Sequence, residues 1–476
     1  MEQSPIIGRR NELATLRALL ASGKSEFVAV FGRRRVGKTF LIRSAYEGAF
    51  SFQVAGLANS NATQQLANFH FALQRADKAA SPTPPSNWLI AFHQLSLFLE
   101  KLPATPKVVF IDELPWFDTP NSGFVQALEH FWNSWASARR DILLVVCGSA
   151  ASWMLNKLIN NKGGLHNRVT KRMKIQPFNL HECEQFLQAK NAAFTRYQIV
   201  ELYMVLGGVP FYWDEVETNL SAAQNIENIC FSENGLLRRE FSNLFSSLFS
   251  QSDRHLNIVR ALADKAQGLT RSEIIAGSGL PNSGRTTDLL AELEESGFVR
   301  QYAPFGKKSR NSLYQLVDFY TLFYLKFIEG AQVLDENNWV SALDNPQRRA
   351  WSGYAFEQVC LAHLTQIKKA LGISGIQTSS SSWRSGNPEF RAQIDLVIDR
   401  RDQVINLFEM KFSINPFSID KNYEVALRQK IGVFKAETRT RKSVFLSFIT
   451  TFGLQVNAHS KAVVQSELDL EDLFRE

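Results

Sequence analysis

The sequence predicts a multidomain α/β chain: a parallel sheet built round a phosphate-binding loop, a small helical module with a hairpin, and a second α/β domain. Three observations predict it. Residues 27–31, five apolar or small residues in a row, read as a buried parallel strand that runs into Gly32-Arg33-Arg34-Arg35-Val36-Gly37-Lys38-Thr39. Residues 108–111 read as a second buried strand, ending in Asp112-Glu113. Residues 393–399 and 404–412 read as an antiparallel hairpin that carries Asp395, Glu409 and Lys411.

The loop comes first because its chemistry is the most specific. Two glycines five apart let the backbone curl until its N–H groups face phosphate oxygens, where a Cβ would block the approach. Gly32, Arg33, Arg34, Arg35, Val36 and Gly37 form the cradle, and Phe40 completes the binding set in the following turn. Lys38 reaches the β- and γ-phosphates, and the Thr39 hydroxyl ligates Mg²⁺. A helix from Lys38 to about Tyr46 aims its positive end at the same charge. Ahead of the loop, residues 6–13 lead into a helix. Gly8 and Arg9 there either lie near the base and phosphates or form a surface turn capping that helix.

The next elements supply the other half of the site. A short strand at 50–54 and helices at 61–75 and 87–102 precede the acidic strand, with a stiff Pro-rich connector at 81–86. Asp112 at the strand end holds Mg²⁺ through water, and Glu113 orients and deprotonates a water for attack on the γ-phosphate. Residues 141–149 form another apolar strand. Its Ser149 either hydrogen-bonds the γ-phosphate or attacking water, or only caps the next helix. The basic segment 168–178 reads as an edge strand, and Arg168 is either a transition-state arginine or a solvated charge.

Composition sets the outer bounds. With 476 residues the chain exceeds one core, and 45% hydrophobic content fills several. A net charge of +7 is compatible with nucleic acid without requiring it. Cys147, Cys183, Cys230 and Cys360 lack paired spacing, which argues for reduced core thiols and against a disulfide framework or zinc site. The start lacks a basic-then-apolar layout and no apolar run reaches membrane length, so the expected location is cytoplasmic.

The Ile-Gly-Arg-Arg opening, the 32–39 loop, Ile111-Asp112-Glu113-Leu114-Pro115, Gly148-Ser149, Gln176-Pro177-Phe178 and residues 206–212 together resemble the archaeal-type P-loop ATPase family, near the AAA+ and STAND ATPases. The resemblance covers about the first half of the chain. It implies ATP as the nucleotide, a strand inserted between the loop strand and the Asp-Glu strand, and a helical lid over about 181–249. Gly207-Gly208-Val209-Pro210 turns between the lid helices, and Arg238 and Arg239 are the lid's arginines available for nucleotide sensing.

Beyond the lid the pattern changes. Helices at 255–265, from Arg271 (capped by Thr270) and at 284–295, then strands at 297–300 and 312–316, read as a winged helix. Such a module either enters a DNA groove, through Arg285 and the Lys307, Lys308 and Arg310 wing tip, or docks a protein.

Residues 335–349 read as a polar link, 351–371 as a helix carrying Glu357, and Ser379–Ser382 as a loop tip. The hairpin brings Asp395 and Glu409 onto adjacent strands, able to share a metal if the register lets them face the same way, with Lys411 on the face of Glu409. Two carboxylates and a lysine suit metal-assisted phosphodiester hydrolysis. With Glu357 they resemble the PD-(D/E)XK nuclease superfamily, with Ile394 where the motif's name has proline. That superfamily also contains idle binding versions. The basic stretch 435–442 either lines a nucleic-acid path or is a solvated face.

The expected layout is a P-loop NTPase core (1–180), helical lid (181–252), winged helix (253–330) and restriction-endonuclease-like α/β domain (345–476). The expected function is Mg²⁺-dependent ATP hydrolysis coupled to a nuclease-like domain directed at nucleic acid, DNA first, in a chain able to self-associate and not bound to membrane. Its rival is a nucleotide-gated signalling switch whose last domain binds without cutting.

Overall fold

Strand β1 (Glu26–Phe31) is buried along its whole length, as a parallel strand with both faces covered must be. Its side chains alternate between two cores: Phe27, Ala29 and Phe31 pack into one and Val28 and Val30 into the other. In this computed structural model the described residues are 6–476 apart from 104, 160–164, 166, 250, 264, 266, 308–311, 331–337, 342–344 and 387–391. The chain divides into two compact units, Met1–Pro177 and Phe178–Glu476.

In the first unit, β2 (Phe50–Ala55), β3 (Lys107–Asp112), β4 (Ile142–Gly148) and β5 (Lys171–Lys174) join β1 in a five-stranded sheet of order β2-β3-β4-β1-β5. Every pairing is parallel. The inserted strand is β4, between the loop strand and the acidic strand. β5 is the edge strand read from the basic segment, with Met173 buried and its lysines and arginine outward. The helices Ala62–Ala76 and Trp88–Lys101 start at side-chain caps from Asn61 and Asn87. Phe69, Trp88, Phe92, Phe117 and Phe124 interlock beneath them, with ring centroids 4.9–6.2 Å apart.

The second unit begins with helices Leu180–Ala189, Arg196–Leu206, Pro210–Asp214, Ala222–Cys230 and Leu236–Leu248. Gly208 allows a close backbone approach: a Cβ there would sit 1.8 Å from the Phe178 carbonyl oxygen. Next come helices Ser252–Ala263, Arg271–Ser278 and Gly284–Glu295, with β6 (Leu269–Thr270), β7 (Val299–Tyr302) and β8 (Leu313–Leu316) in an antiparallel sheet of order β6-β8-β7. This is the winged-helix pattern. Lys308 and Arg310 lie outside the described residues.

The last sheet has the order β13-β12-β11-β10-β9, from β9 (Thr378–Arg384), β10 (Gln393–Arg400), β11 (Val404–Lys411), β12 (Ser443–Thr450) and β13 (Ser466–Leu468). β9, β10 and β11 are antiparallel, whereas β12 runs parallel to β11 and β13 to β12. The β11-to-β12 crossover carries the helix Lys421–Thr438.

Three expectations need correction here. Ser379–Ser382 is not a loop tip: it is the middle of β9, because β10 supplies the ladder that polar serines cannot nucleate alone. The helix before it starts at Pro346, inside the segment read as a link. Arg348 is buried there, stacked 4.1 Å from the Trp339 ring and donating to the Trp339 carbonyl at 2.8 Å. That helix also stops at Ala362, and a second one runs Leu364–Ala370. The four cysteines are free and buried, as read. Among the described residues no helix is long and apolar enough to cross a membrane.

Candidate functional site

The carboxyl ends of β1, β3 and β4 bring the loop, the acidic pair and Ser149 together. Gly32 takes φ +144°, and a Cβ there would meet the Ile175 carbonyl oxygen at 2.4 Å, so the loop can leave β1 only through glycine. Gly37 (φ +85°) starts the helix Lys38–Ala45. Arg35 also adopts a left-handed conformation, φ +70°. This third turn residue is invisible in a motif that marks only its glycines.

Lys38 is buried, and its ammonium donates to the carbonyls of Gly32 (3.0 Å) and Arg33 (2.9 Å) and to Ser149 Oγ (3.0 Å). Ser149 in turn donates from its hydroxyl to Glu113 Oε1 (2.8 Å) and from its backbone to Oε2 (3.3 Å). Thr39 donates to Asp112 Oδ2 at 2.8 Å. Lys38, Ser149 and Glu113 therefore form one connected set, which the Glu113 N–H joins to the Thr39–Asp112 pair by donating to Asp112 Oδ1 (3.0 Å). Glu113 itself sits at φ 45°, ψ 49°, a strained conformation for a residue with a Cβ and one concentrated at functional sites. Gly148 permits the approach of β4 to this turn, since a Cβ there would lie 2.8 Å from Pro115 Cδ.

Arg9 is buried beside the loop, donating to the carbonyls of Val36 (3.4 Å) and Gln176 (2.6 Å), with Gly8 before it at φ +63°. The guanidinium thus braces the loop through backbone carbonyls. Arg33 is buried, Arg34 and Arg35 half-buried, and Phe40 exposed. Arg168 is exposed, and Arg238 donates to the Phe231 carbonyl at 3.0 Å.

In the second unit the register Leu396↔Phe408 sets Asp395 opposite Glu409, so both face the same way. Glu409 is buried and paired with Lys411 (3.7 Å), with Lys430 and with the Tyr423 hydroxyl (3.1 Å). Lys430 and Tyr423, both on the helix Lys421–Thr438, were not singled out in the sequence. Their spacing of seven on one helix face was the available signal. Glu357 feels Asp395, Lys411, Glu409 and Lys430, and burial with the nearby Asp395 pushes its carboxyl up to about 8. Burial also raises Asp395. The four residues named from sequence therefore converge.

Fit to metal differs between the two places. Thr39 and Asp112 are hard oxygen donors in contact, as Mg²⁺ requires. In the second unit, among the described residues, no group of three or more His, Cys, Asp or Glu is gathered as a metal site. Asp395 and Glu409 match the one or two carboxylates that Mg²⁺ takes beside substrate phosphates, and Lys430 now pairs with Glu409.

The winged helix offers little positive charge on its third helix. Arg285 is engaged by Glu292 at 2.9 Å, and Glu292 also pairs with His255 at 2.7 Å. Asp288, Glu294 and Glu295 share the helix. Lys307 is exposed, but Phe305 N–H donates to the Ser382 carbonyl at 2.7 Å and its ring packs 5.3 Å from Phe434. The wing is thereby fastened to β9. In the 435–442 stretch, Lys442 binds Asp399 (2.6 Å) and the Arg400 carbonyl (2.7 Å), while Arg439 and Arg441 are exposed.

A family profile described as an ATPase domain predominantly from Archaea matches residues 7–216, and an IclR helix-turn-helix domain profile matches 253–303. An uncharacterized protein of Methanocaldococcus jannaschii, MJECL04, is 24% identical over 369 residues, covering 76% of this chain and 78% of that one. Among solved structures, the Walker-type ATPase paby2304 of Pyrococcus abyssi aligns with TM-score 0.50 and 17% identity over 68% of this chain and 97% of its own. The Aeropyrum pernix ORC2 protein aligns with TM-score 0.42 and 15% identity over 69% and 95%. Residues 7–216 thus match an archaeal-type ATPase domain, and residues 253–303 after them an IclR-type helix-turn-helix.

Proposed function

We propose that this protein binds and hydrolyses ATP with Mg²⁺ and that its second unit acts on nucleic acid. The single observation that carries the ATPase half is the connected set Lys38–Ser149–Glu113 beside Thr39–Asp112. In a loaded site Lys38 exchanges the carbonyls of Gly32 and Arg33 for phosphate oxygens, a contact of greater charge. Glu113 accepts the proton of the attacking water, and Ser149 fixes that carboxylate in position. Thr39 and Asp112 hold the metal; Asp395 and Glu409 are the pair for a second one. Bound Mg²⁺ supplies charge neutralisation at phosphate and activation of water.

The αβββαβ order of the last sheet and the meeting of Glu357, Asp395, Glu409 and Lys411 support the nuclease-like reading of residues 345–476. A specific observation favours an idle version: Glu409 is already neutralised by Lys411 and Lys430 and bonded by Tyr423. Metal-dependent cleavage of end-labelled DNA and RNA, with and without ATP, separates the two. Cutting by the parent that falls about a hundredfold or more in Lys411→Ala supports hydrolysis. No cutting with Mg²⁺ or Mn²⁺ leaves a binding domain.

A further inference from the structure

A cavity of about 450 Å³ lies where the wing sheet meets the last domain, walled by Arg300 and Tyr302 of β7, Ser380 and Trp383 of β9, Glu357 and Asp395. Its volume falls within the ~300–1,000 Å³ of small-ligand sites. Nothing in the family profiles reaches both of its walls, since the helix-turn-helix match stops at residue 303.

The polar atoms around this space are out of balance. The Arg300 guanidinium donates to Gln315 Oε1 at 2.5 Å and lies 5.6 Å from the Tyr302 ring. Among the described residues no carboxylate pairs with it. Its Nε and the Ser380 hydroxyl are both buried without a hydrogen-bond partner. A buried cation and a buried hydroxyl left unpaired call for an anionic acceptor. The opposite wall has the reverse character, with the carboxylates of Glu357 and Asp395 lining it together. Leu361, Leu364 and Trp383 add apolar surface. The Phe305 contacts with Ser382 and Phe434 fasten the wing alongside.

We infer that this cavity is a site for one nucleotide, free or at the end of a single strand, whose phosphate sits on Arg300 and Ser380. The winged helix then contributes a binding residue to the last domain's site instead of reading duplex DNA with that strand. This deepens the reading that the second unit acts on nucleic acid and does not depend on the proposed metal role of Asp395.

The test uses the full chain carrying Lys38→Ala, which silences the loop, titrated calorimetrically with deoxyadenosine 5′-monophosphate and Mg²⁺. A 5′-phosphorylated single-stranded trinucleotide serves as the second probe, and deoxyadenosine as the phosphate-free control. Saturable binding of either phosphorylated probe, weakened about tenfold or more by adding Arg300→Gln and spared by Arg300→Lys, is expected. Which probe binds tells a free nucleotide from a strand end. Failure of both to bind, or equal binding by the Arg300→Gln protein, overturns the inference. Should Arg300→Gln lower the melting temperature of the chain, Ser380→Ala takes its place, with the same expected weakening. Strand cleavage without this binding removes the inference and leaves the nuclease reading intact; binding without cleavage does the reverse.

Discussion

At the scale of single residues, Glu113 joins backbone strain to the chemistry proposed for it. Its left-handed backbone holds the carboxylate where both the hydroxyl and the N–H of Ser149 can reach it. Glu113→Gln keeps size and hydrogen bonding and removes the proton acceptor. It should therefore retain ATP while phosphate release falls about 10²- to 10⁴-fold, as single-turnover release and nucleotide retention will show. The meeting of Lys38, Thr39 and Asp112 was readable because each stands next to the end of a buried strand, a local signal. Lys430 and Tyr423 were not, because they reach Glu409 from the helix that crosses between β11 and β12, a tertiary contact. Arg35 was named as part of the cradle, but its left-handed backbone was not foreseen, because a non-glycine at φ +70° has no sequence signature.

At the scale of elements, the break at His363 has a consequence for pH. This buried ring bonds the Val359 carbonyl through Nδ1 (2.7 Å) and accepts from Leu180 N–H through Nε2 (2.9 Å), the pattern of a neutral imidazole. Burial holds it down to about 4, against about 6.5 when unfolded. The unfolded chain thus takes up a proton that the folded one refuses, so its stabilising effect is complete above about pH 6.5 and is lost as pH falls toward 4. Relative to His363→Gln, the parent should lose about 2 kcal/mol of stability between pH 7.5 and pH 5. Denaturant melts at the two pH values measure it. The comparison between variants matters because Glu357, raised to about 8, moves stability the other way over the same range. Elements with strong local signals were legible: the fully apolar β1, β3 and β4, and helices opened by Asn61, Thr270 and Ser283 caps. The serine-rich β9 was not, since its pairing with β10 is a tertiary fact.

At the scale of the whole molecule, the chain forms two units. The first has the strand order and loop of an ATPase, and each part of it was foreshadowed by residues within a few positions of one another. The second joins helices, wing and mixed sheet through one continuous core, from Phe178 to Phe474. That continuity was hidden, because sequence reasoning separates modules at polar stretches and cannot see Arg348 or Trp339 turning inward. The central claim is that the curled loop after β1 grips a triphosphate, with its metal held by Thr39 and Asp112. Titration of ATP with Mg²⁺ into the full chain and into Lys38→Ala tests this most directly. Saturable binding by the parent, weakened roughly a hundredfold or more in the variant, is the expected result; no binding by the parent, or equal binding by both, would contradict it.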